Sequence, residues 1–510
     1  MVQRLAARLL STALALLALA TPLRAELTNG RALAAVYDSI LAGRFTAAEQ
    51  ELKAACPPAP AEACQAMAVT ILWWRISLNP ENQELDEEIE RNAVAAIDAA
   101  ERWTRREPDN AEAWFYHAAA HAPLVQWRLL REQRLTAIRE ASRVKSSLER
   151  ALELDPTLQD AHFGIGLYRY YAGIAPAALR MFRWLFWLPG GDREEGLEQM
   201  ERARQSGQLL GGEADYQLHF IYLWYENQHA RALELLENLH QRYPTNPLFL
   251  ERIAEVQREY FNDYPASLAA WRTLVADAER NAMALPQVAQ VRGRLGLAST
   301  LDEMYRTDRA IDVLQQLVAA RPADPPHALA RAYLQLGAAH DRLGQRDSAV
   351  TAYAAAIREA RETKEGDAIR ELATEGTRRA PDRASADAYR LSLDGLRALE
   401  AGDAQRAVGA LERAVALDPS DLVARYRHAR ALIAAGRALE ATPLLESVVN
   451  ARPSPPPHVH ASALADLAAL VEARGDVTRA IDLYRRARDM RGAAIDARDA
   501  ATAALDRLAR

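Results

Sequence analysis

The chain has almost no lysine. Of its 63 basic residues only Lys53, Lys145 and Lys364 are lysines, and the rest are arginine. Alanine is abundant as well, so the skew fits a compositional bias better than a functional choice. Cysteine is nearly absent: Cys56 and Cys64 are the only two, which excludes a disulfide-dense scaffold. The net charge of −6, from 63 basic and 69 acidic residues, leaves no positive surplus for the phosphates of a nucleic acid. No apolar run approaches the roughly 20 residues that a membrane-spanning helix needs. Catalytic signatures are missing too. There is no G-x-S-x-G elbow and no phosphate-binding G-x-x-x-x-G-K loop. Gly164 and Gly166 open a helical stretch with no strand before it, which removes a dinucleotide fold. Carboxylates alternate with arginines as solvated helix faces do. The large aromatics also run out: no tryptophan follows Trp271 and no phenylalanine follows Phe261. Either the aromatic N-terminal half carries specificity, or its longer helices need larger side chains.

The first residues read as an address. Arg4 and Arg8 precede an apolar run from Leu9 to Ala20, and Ala18-Leu19-Ala20 or Leu23-Arg24-Ala25 offers a small-residue cleavage site. Residues 1–25 are therefore expected to be a secretory signal peptide, and the chain to be exported, into the periplasm of a Gram-negative bacterium. In an exported chain the pair Cys56 and Cys64, spaced across a proline-rich turn, is expected to be a disulfide.

The rest of the chain is helical and punctuated. Pro108, Pro156, Pro244, Pro322, Pro419 and Pro453 each close an apolar, helix-period segment, since proline cannot continue a helix. Between these marks small and large residues recur. Tyr333, Leu336, Gly337, His340, Ala349, Tyr353 and Ala356 form one copy; Gly395, Ala407, Leu411, Ala414 and Pro419 form another. Ala441, Leu445, Val448 and Pro453 follow 34 residues later. Ala232, Leu236, Leu239 and Pro244 make a further copy, as do Ala310, Leu314, Leu317 and Pro322, and Leu464, Leu467, Ala480, Tyr484 and Ala487. Trp114 takes the first aromatic position of an early one. This pattern resembles the tetratricopeptide repeat. The resemblance implies an all-α fold, a right-handed superhelical solenoid of about eleven antiparallel helix pairs. We divide it into an aromatic-rich half (26–285) with an insert at 174–192, and a regular array (286–510) ending in a capping helix. Residues 362–384 match no repeat and read as a short helix plus linker. Arg321-Pro322-Ala323-Asp324-Pro325-Pro326-His327 recurs as Arg452-Pro453-Ser454-Pro455-Pro456-Pro457-His458, each time before a new repeat.

Candidate sites follow from this register. In the family the inner helix of each pair lines a concave groove; the matching positions here are Phe115, Phe163, Leu167, Tyr170, Ile221 and Trp224, with Phe163, Tyr170 and Trp224 as anchors. The insert carries Phe182, Trp184, Phe186 and Trp187 on a helix over 176–188, closed by Pro189-Gly190-Gly191. Asp192 then caps a new helix, with Glu195 completing a capping box. Three readings of the insert stay open: a helix packed over the concave side, a surface for a partner, or a helix in a membrane interface. His117 and His121 have a metal-compatible spacing, but their register places them between helices, as core residues. His458 and His460 read as solvated loop residues. The expected function is a non-catalytic exported scaffold that holds a protein or peptide partner, with no cofactor, no metal and no nucleic acid. A peripheral component of outer-membrane assembly or polymer export is one alternative. An envelope metal protein or enzyme built on His117 and His121 is another.

Overall fold

The computed structural model describes residues 26–174, 191–379 and 382–509. The expected signal peptide and the insert side chains Phe182, Trp184, Phe186 and Trp187 lie outside the described residues. Two compact units divide the chain, up to Ile221 and from Tyr222 onward, whereas the compositional change lies near residue 285. The first unit holds α1 (Gly30–Leu41), α2 (Phe45–Ala55), α3 (Ala61–Leu78), α4 (Asp86–Arg106), α5 (Ala111–Leu130), α6 (Arg134–Leu154), α7 (Gln159–Ile174), α8 (Arg193–Ser206) and most of α9 (Gly211–Trp224). The second holds α10 (His229–Arg242), α11 (Pro247–Phe261), α12 (Tyr264–Glu279), α13 (Pro286–Glu303), α14 (Thr307–Ala320), α15 (Ala328–Arg342), α16 (Arg346–Glu359) and α17 (Lys364–Arg378). It continues through α18 (Arg383–Glu400), α19 (Ala404–Leu417), α20 (Leu422–Ala434), α21 (Ala438–Val449), α22 (Pro457–Ala473), α23 (Val477–Asp489) and α24 (Ile495–Leu508). The architecture is an all-helical repeat solenoid, and no strand occurs among the described residues. Among the described residues the helices fall, in chain order, into eleven successive pairs, with α17 and α24 left over.

Local chemistry sets the ends of these helices. After Pro108, Pro244 and Pro419 the second residue on is Asn110, Asn246 or Asp421, and each side chain accepts an N–H from the first turn that follows. Such a cap satisfies a donor that the helix itself cannot. Within pairs, a three-residue turn recurs whose middle residue is left-handed. Glycine fills it at Gly43, Gly344, Gly402, Gly436 and Gly475, with φ between 69° and 88°. Glu132 and Tyr305 fill the same place with φ of 58° and 59°, at a cost of about 1–2 kcal/mol for a side chain in that region.

The packing explains the repeat pattern. A Cβ added at Gly337 would meet the Tyr353 ring at 2.5 Å, and one at Gly395 would strike Leu411. Glycine in the first helix of a pair thus makes room for the large residue sixteen positions on, and Ala349, Ala356, Ala407 and Ala414 let the helices close around it. The segment expected to be a short helix plus linker contains α17, capped by the Thr363 hydroxyl, which accepts from Gly366 N–H at 3.1 Å. Its Ile369 and Ala373 join Ala330, Ala349, Tyr353 and Ala356 in one apolar cluster, so Tyr353 is enclosed from both sides.

The second unit also makes contacts far beyond neighbouring pairs. Arg491, after α23, lies over the Phe261 ring at the end of α11, 3.0 Å from its centroid. His458 meets Tyr264 edge-on at 5.7 Å. Arg427 of α20 donates to the Tyr305 carbonyl at 2.8 Å, and the Thr307 and Tyr389 hydroxyls share a hydrogen bond of 2.7 Å. The corners after α11 and α13 are thereby tied to α18, α20 and α22.

Packing of this kind predicts opposite outcomes for two glycines. Gly337→Ala should destabilise the protein by about 1–3 kcal/mol through overpacking. Gly409 of α19 has nothing within 4 Å of an added Cβ, so Gly409→Ala should be neutral or stabilising by up to about 1 kcal/mol. Urea unfolding of both variants checks this, and equal effects would refute the packing account.

Candidate interaction surface

Most of the expected groove strip is not surface. Phe115, Phe163, Tyr170 and Ile221 are buried, Leu167 is half-buried, and only Trp224 is open, at 54%. A side chain enclosed by its own fold offers nothing to a partner, so four of the six assignments are corrected to core positions. For Phe163 and Tyr170 the reason lies between α7 and α8. A Cβ on Gly166 would reach the Gly196 carbonyl at 2.6 Å, and one on Gly196 would reach the Gly166 carbonyl at the same distance. These backbones touch, and the close approach shuts the face of α7 that carries Tyr170. The glycines of Gly-Ile-Gly are thus packing devices, a role that only the partner helix reveals. Beyond the insert, Asp192 caps α8 as expected, its carboxylate accepting from Glu195 N–H at 3.0 Å. Glu195 itself turns away to Arg169 and to the Gln199 amide.

Besides Tyr171 of α7, at 37%, the exposed aromatic side chains among the described residues lie at the end of α9. Tyr216 and Phe220, one turn apart and half-buried, meet edge to face at 5.1 Å. Trp224 occupies the next turn of the same helix, and Tyr225 follows at 46% exposure. The start of this helix is held firmly. Asp160, buried on α7, accepts from the N–H groups of Gln208, Leu209 and Leu210 at 2.8, 2.9 and 2.8 Å. One turn into α9, the buried Glu213 accepts from the Tyr37 hydroxyl at 3.1 Å, Trp74 Nε1 at 3.2 Å and Gln217 Nε2 at 2.9 Å. Burial raises the Glu213 carboxyl above its ordinary range, and these three donors oppose the shift.

The histidine pair sits on α5 against α6. His121 is fully enclosed, and its Nδ1 lies 2.6 Å from Glu140 Oε2; His117 Nδ1 lies 2.7 Å from Ser147 Oγ. Ser147 already donates its hydroxyl to the Arg143 carbonyl at 2.9 Å. In the tautomer that carries its proton on Nδ1, His117 donates to this oxygen and is not a base toward it. An activated serine needs the reverse. Among the described residues no group of three His, Cys, Asp or Glu side chains is placed to hold a metal ion. Burial, with His121 adding to it, lowers His117 to about 4; burial lowers His121 also, against the Glu140 bond. His458 is corrected as well. It lies in the first turn of α22, buried, and burial together with Arg427 pulls it down to about 4. His460, half-buried, shifts the same way through burial. The structure joins Cys56 and Cys64 in a disulfide across the α2–α3 turn, with Cα atoms 6.5 Å apart.

Two expectations follow. Phe163→Ala or Tyr170→Ala should cost about 3–5 kcal/mol of stability as core truncations, while Trp224→Ala should leave the melting temperature almost unchanged; calorimetry distinguishes them. The histidines give a pH dependence. Their folded pKa values are depressed below the ordinary 6.5. The unfolded chain thus takes up protons first, and stability should fall as the pH drops from about 6.5 toward 4. His458→Gln should flatten part of that slope in melting curves taken across this range.

Comparison with known proteins bears on this geometry. Two tetratricopeptide-repeat family models match, over residues 330–363 and 398–467. No curated protein matches the chain. Similar solved structures include a tetratricopeptide repeat protein from Parabacteroides merdae, at 15% identity over 59% of this chain and 99% of that one, with a TM-score of 0.26. Human IFIT1, solved as a dimer with PPP-AAAA, is 15% identical over 77% of this chain and 81% of its own, with a TM-score of 0.27. The TPR domain of P58(IPK) is 13% identical over 84% and 99%, with a TM-score of 0.23. The first model spans the pair in which Gly337 receives Tyr353, and the second starts just after Gly395 and takes in Leu411. Residues 330–363 and 398–467 of this chain are tetratricopeptide repeats.

Proposed function

We propose that the protein is an exported, non-catalytic scaffold that holds a segment of a partner protein against the aromatic face of α9. Repeats of this family serve protein–protein interaction in general. The observation that carries the specific reading is Trp224, a large aromatic left 54% exposed at the end of a helix whose start is fixed by Asp160 and Glu213. Tryptophan and tyrosine are the side chains that most often dominate binding energy at an interface. A rigid helix presents them without an ordering cost at the moment of binding. Export is supported by Arg4, Arg8 and the apolar run from Leu9 to Ala20, and by the Cys56–Cys64 disulfide, a bond suited to an oxidising compartment.

The test is affinity capture from the native cell envelope, comparing the parent with Trp224→Ala. Loss of an anchor of about 2 kcal/mol should reduce recovery of the partner roughly thirtyfold, while helicity and melting stay unchanged. Equal recovery by the two proteins would refute the assignment of α9.

A further inference from the structure

The outward face of α6 differs from that of other second helices in the array. In α10 the exposed positions are Ala230, Arg231, Glu234, Glu237, Asn238, Gln241 and Arg242, a mixed set without a large apolar side chain. In α14 they include Asp312, Gln315 and Gln316. Over its first three turns α6 instead exposes Leu135 at 67% and Ile138 at 45%, and across the short turn Leu129 of α5 is 54% exposed. Single exposed apolar side chains are ordinary, as with Leu439 on α21, but three grouped at one hairpin end are not.

Over the first three turns of α6 the exposed charges share one sign, while Glu132 in the turn before it is an exposed acid. At about 100° per residue, Leu135, Ile138 and Ser142 run down the middle of the exposed face. Arg134 falls on one flank, and Arg139 and Arg143 on the other. Arg134 and Arg139 make no ion pair among the described residues, and Arg143 reaches Glu140 only at 3.4 Å while staying largely in water. The one acid in this stretch, Glu140, is buried and turned to His121. The result is an apolar stripe bordered on both sides by arginines, on a protein that is negative overall.

We propose that this face of α6, with Leu129, is a docking surface for an anionic lipid bilayer. A helix that lies in a membrane interface needs this distribution: apolar side chains pointing into the acyl boundary and arginines beside them at the depth of the phosphates. The shape favours lipid over a peptide. These side chains stand on the outside of a helical hairpin and line no groove, and a short peptide laid there would be covered on one side only. A bilayer accepts a protruding end without needing a cleft. No helix among the described residues is long and apolar enough to cross a membrane, so contact through α6 is peripheral. The inference is independent of the α9 surface.

Sedimentation of the full chain with vesicles tests it. The parent should sediment with phosphatidylcholine vesicles containing about a third phosphatidylglycerol, not with phosphatidylcholine alone, and should be released by salt. Leu135→Glu with Ile138→Glu should weaken binding at least about tenfold. Arg134→Glu with Arg139→Glu, a second variant at exposed positions, should do the same. Leu439→Glu should bind like the parent. Three results would overturn the proposal: no sedimentation of the parent, equal binding to the neutral vesicles, or undiminished binding by both double variants. Binding of an acidic amphipathic peptide by a parent that ignores the anionic vesicles would overturn it too.

Discussion

The second unit depends on one buried guanidinium. Arg427 sits inside α20, almost wholly out of water, and donates to Ser392 Oγ at 2.9 Å and to the Tyr305 carbonyl at 2.8 Å. Both acceptors are neutral, and burial lowers the pKa of this arginine. An uncompensated buried cation is costly unless its hydrogen bonds are well made. Those bonds exist only if the corner after α13 meets α18 and α20, so the charge punishes any arrangement in which these repeats drift apart. Tyr305 is itself in the left-handed region, at the turn position glycine usually fills. Its carbonyl lies at the C-terminal end of α13, where the helix dipole favours a cation. Around this centre Arg306 pairs with Glu400 at 3.0 Å, and Arg397 with Asp308 at 3.2 Å. A repeat array held by nearest neighbours alone has no such long-range tie.

How far the sequence shows this structure varies by distance along the chain. Helix pairs are legible because their causes are local: proline two residues before a capping Asn110 or Asp421, glycine at the turns, and glycine sixteen positions before a large side chain. The closure is not legible. Arg427 stands in Ala-Arg-Tyr-Arg-His-Ala-Arg, where nothing separates it from the solvated arginines beside it. The twin phrases before α15 and α22 show a subtler limit. In the first, His327 precedes α15 in a left-handed conformation, with Thr363 beside its ring. In the second, Pro457 already begins α22, so His458 lies inside the helix and faces Tyr264. Similar letters give different helix starts because the neighbours differ.

The groove assignment failed for a related reason. Assigning repeat positions to a concave surface presumes an open one, and in the first unit the glycine contact of α7 with α8 closes the face that Tyr170 would have shared with a partner. Sequence spacing placed these residues on the inner helix of each pair, as groove positions. It could not separate a residue that packs against the next helix from one that waits for another protein, because both must be large and apolar. Exposure is the quantity that separates them, and it depends on helices far away in the chain.

What remains is a division of labour along α9. Its first two turns are committed inward: Asp160 takes three consecutive backbone donors just before the helix, and Glu213 binds Tyr37 of α1 and Trp74 of α3. Buried carboxylates without a cation are poor sources of stability. They are strong sources of position, because each oxygen must keep its donors or lose its compensation for leaving water. Asp160 of α7 thus helps to aim α9. Trp224 stands at the end of the same helix, 54% exposed, and a large exposed aromatic is the kind of side chain that most often anchors an interface.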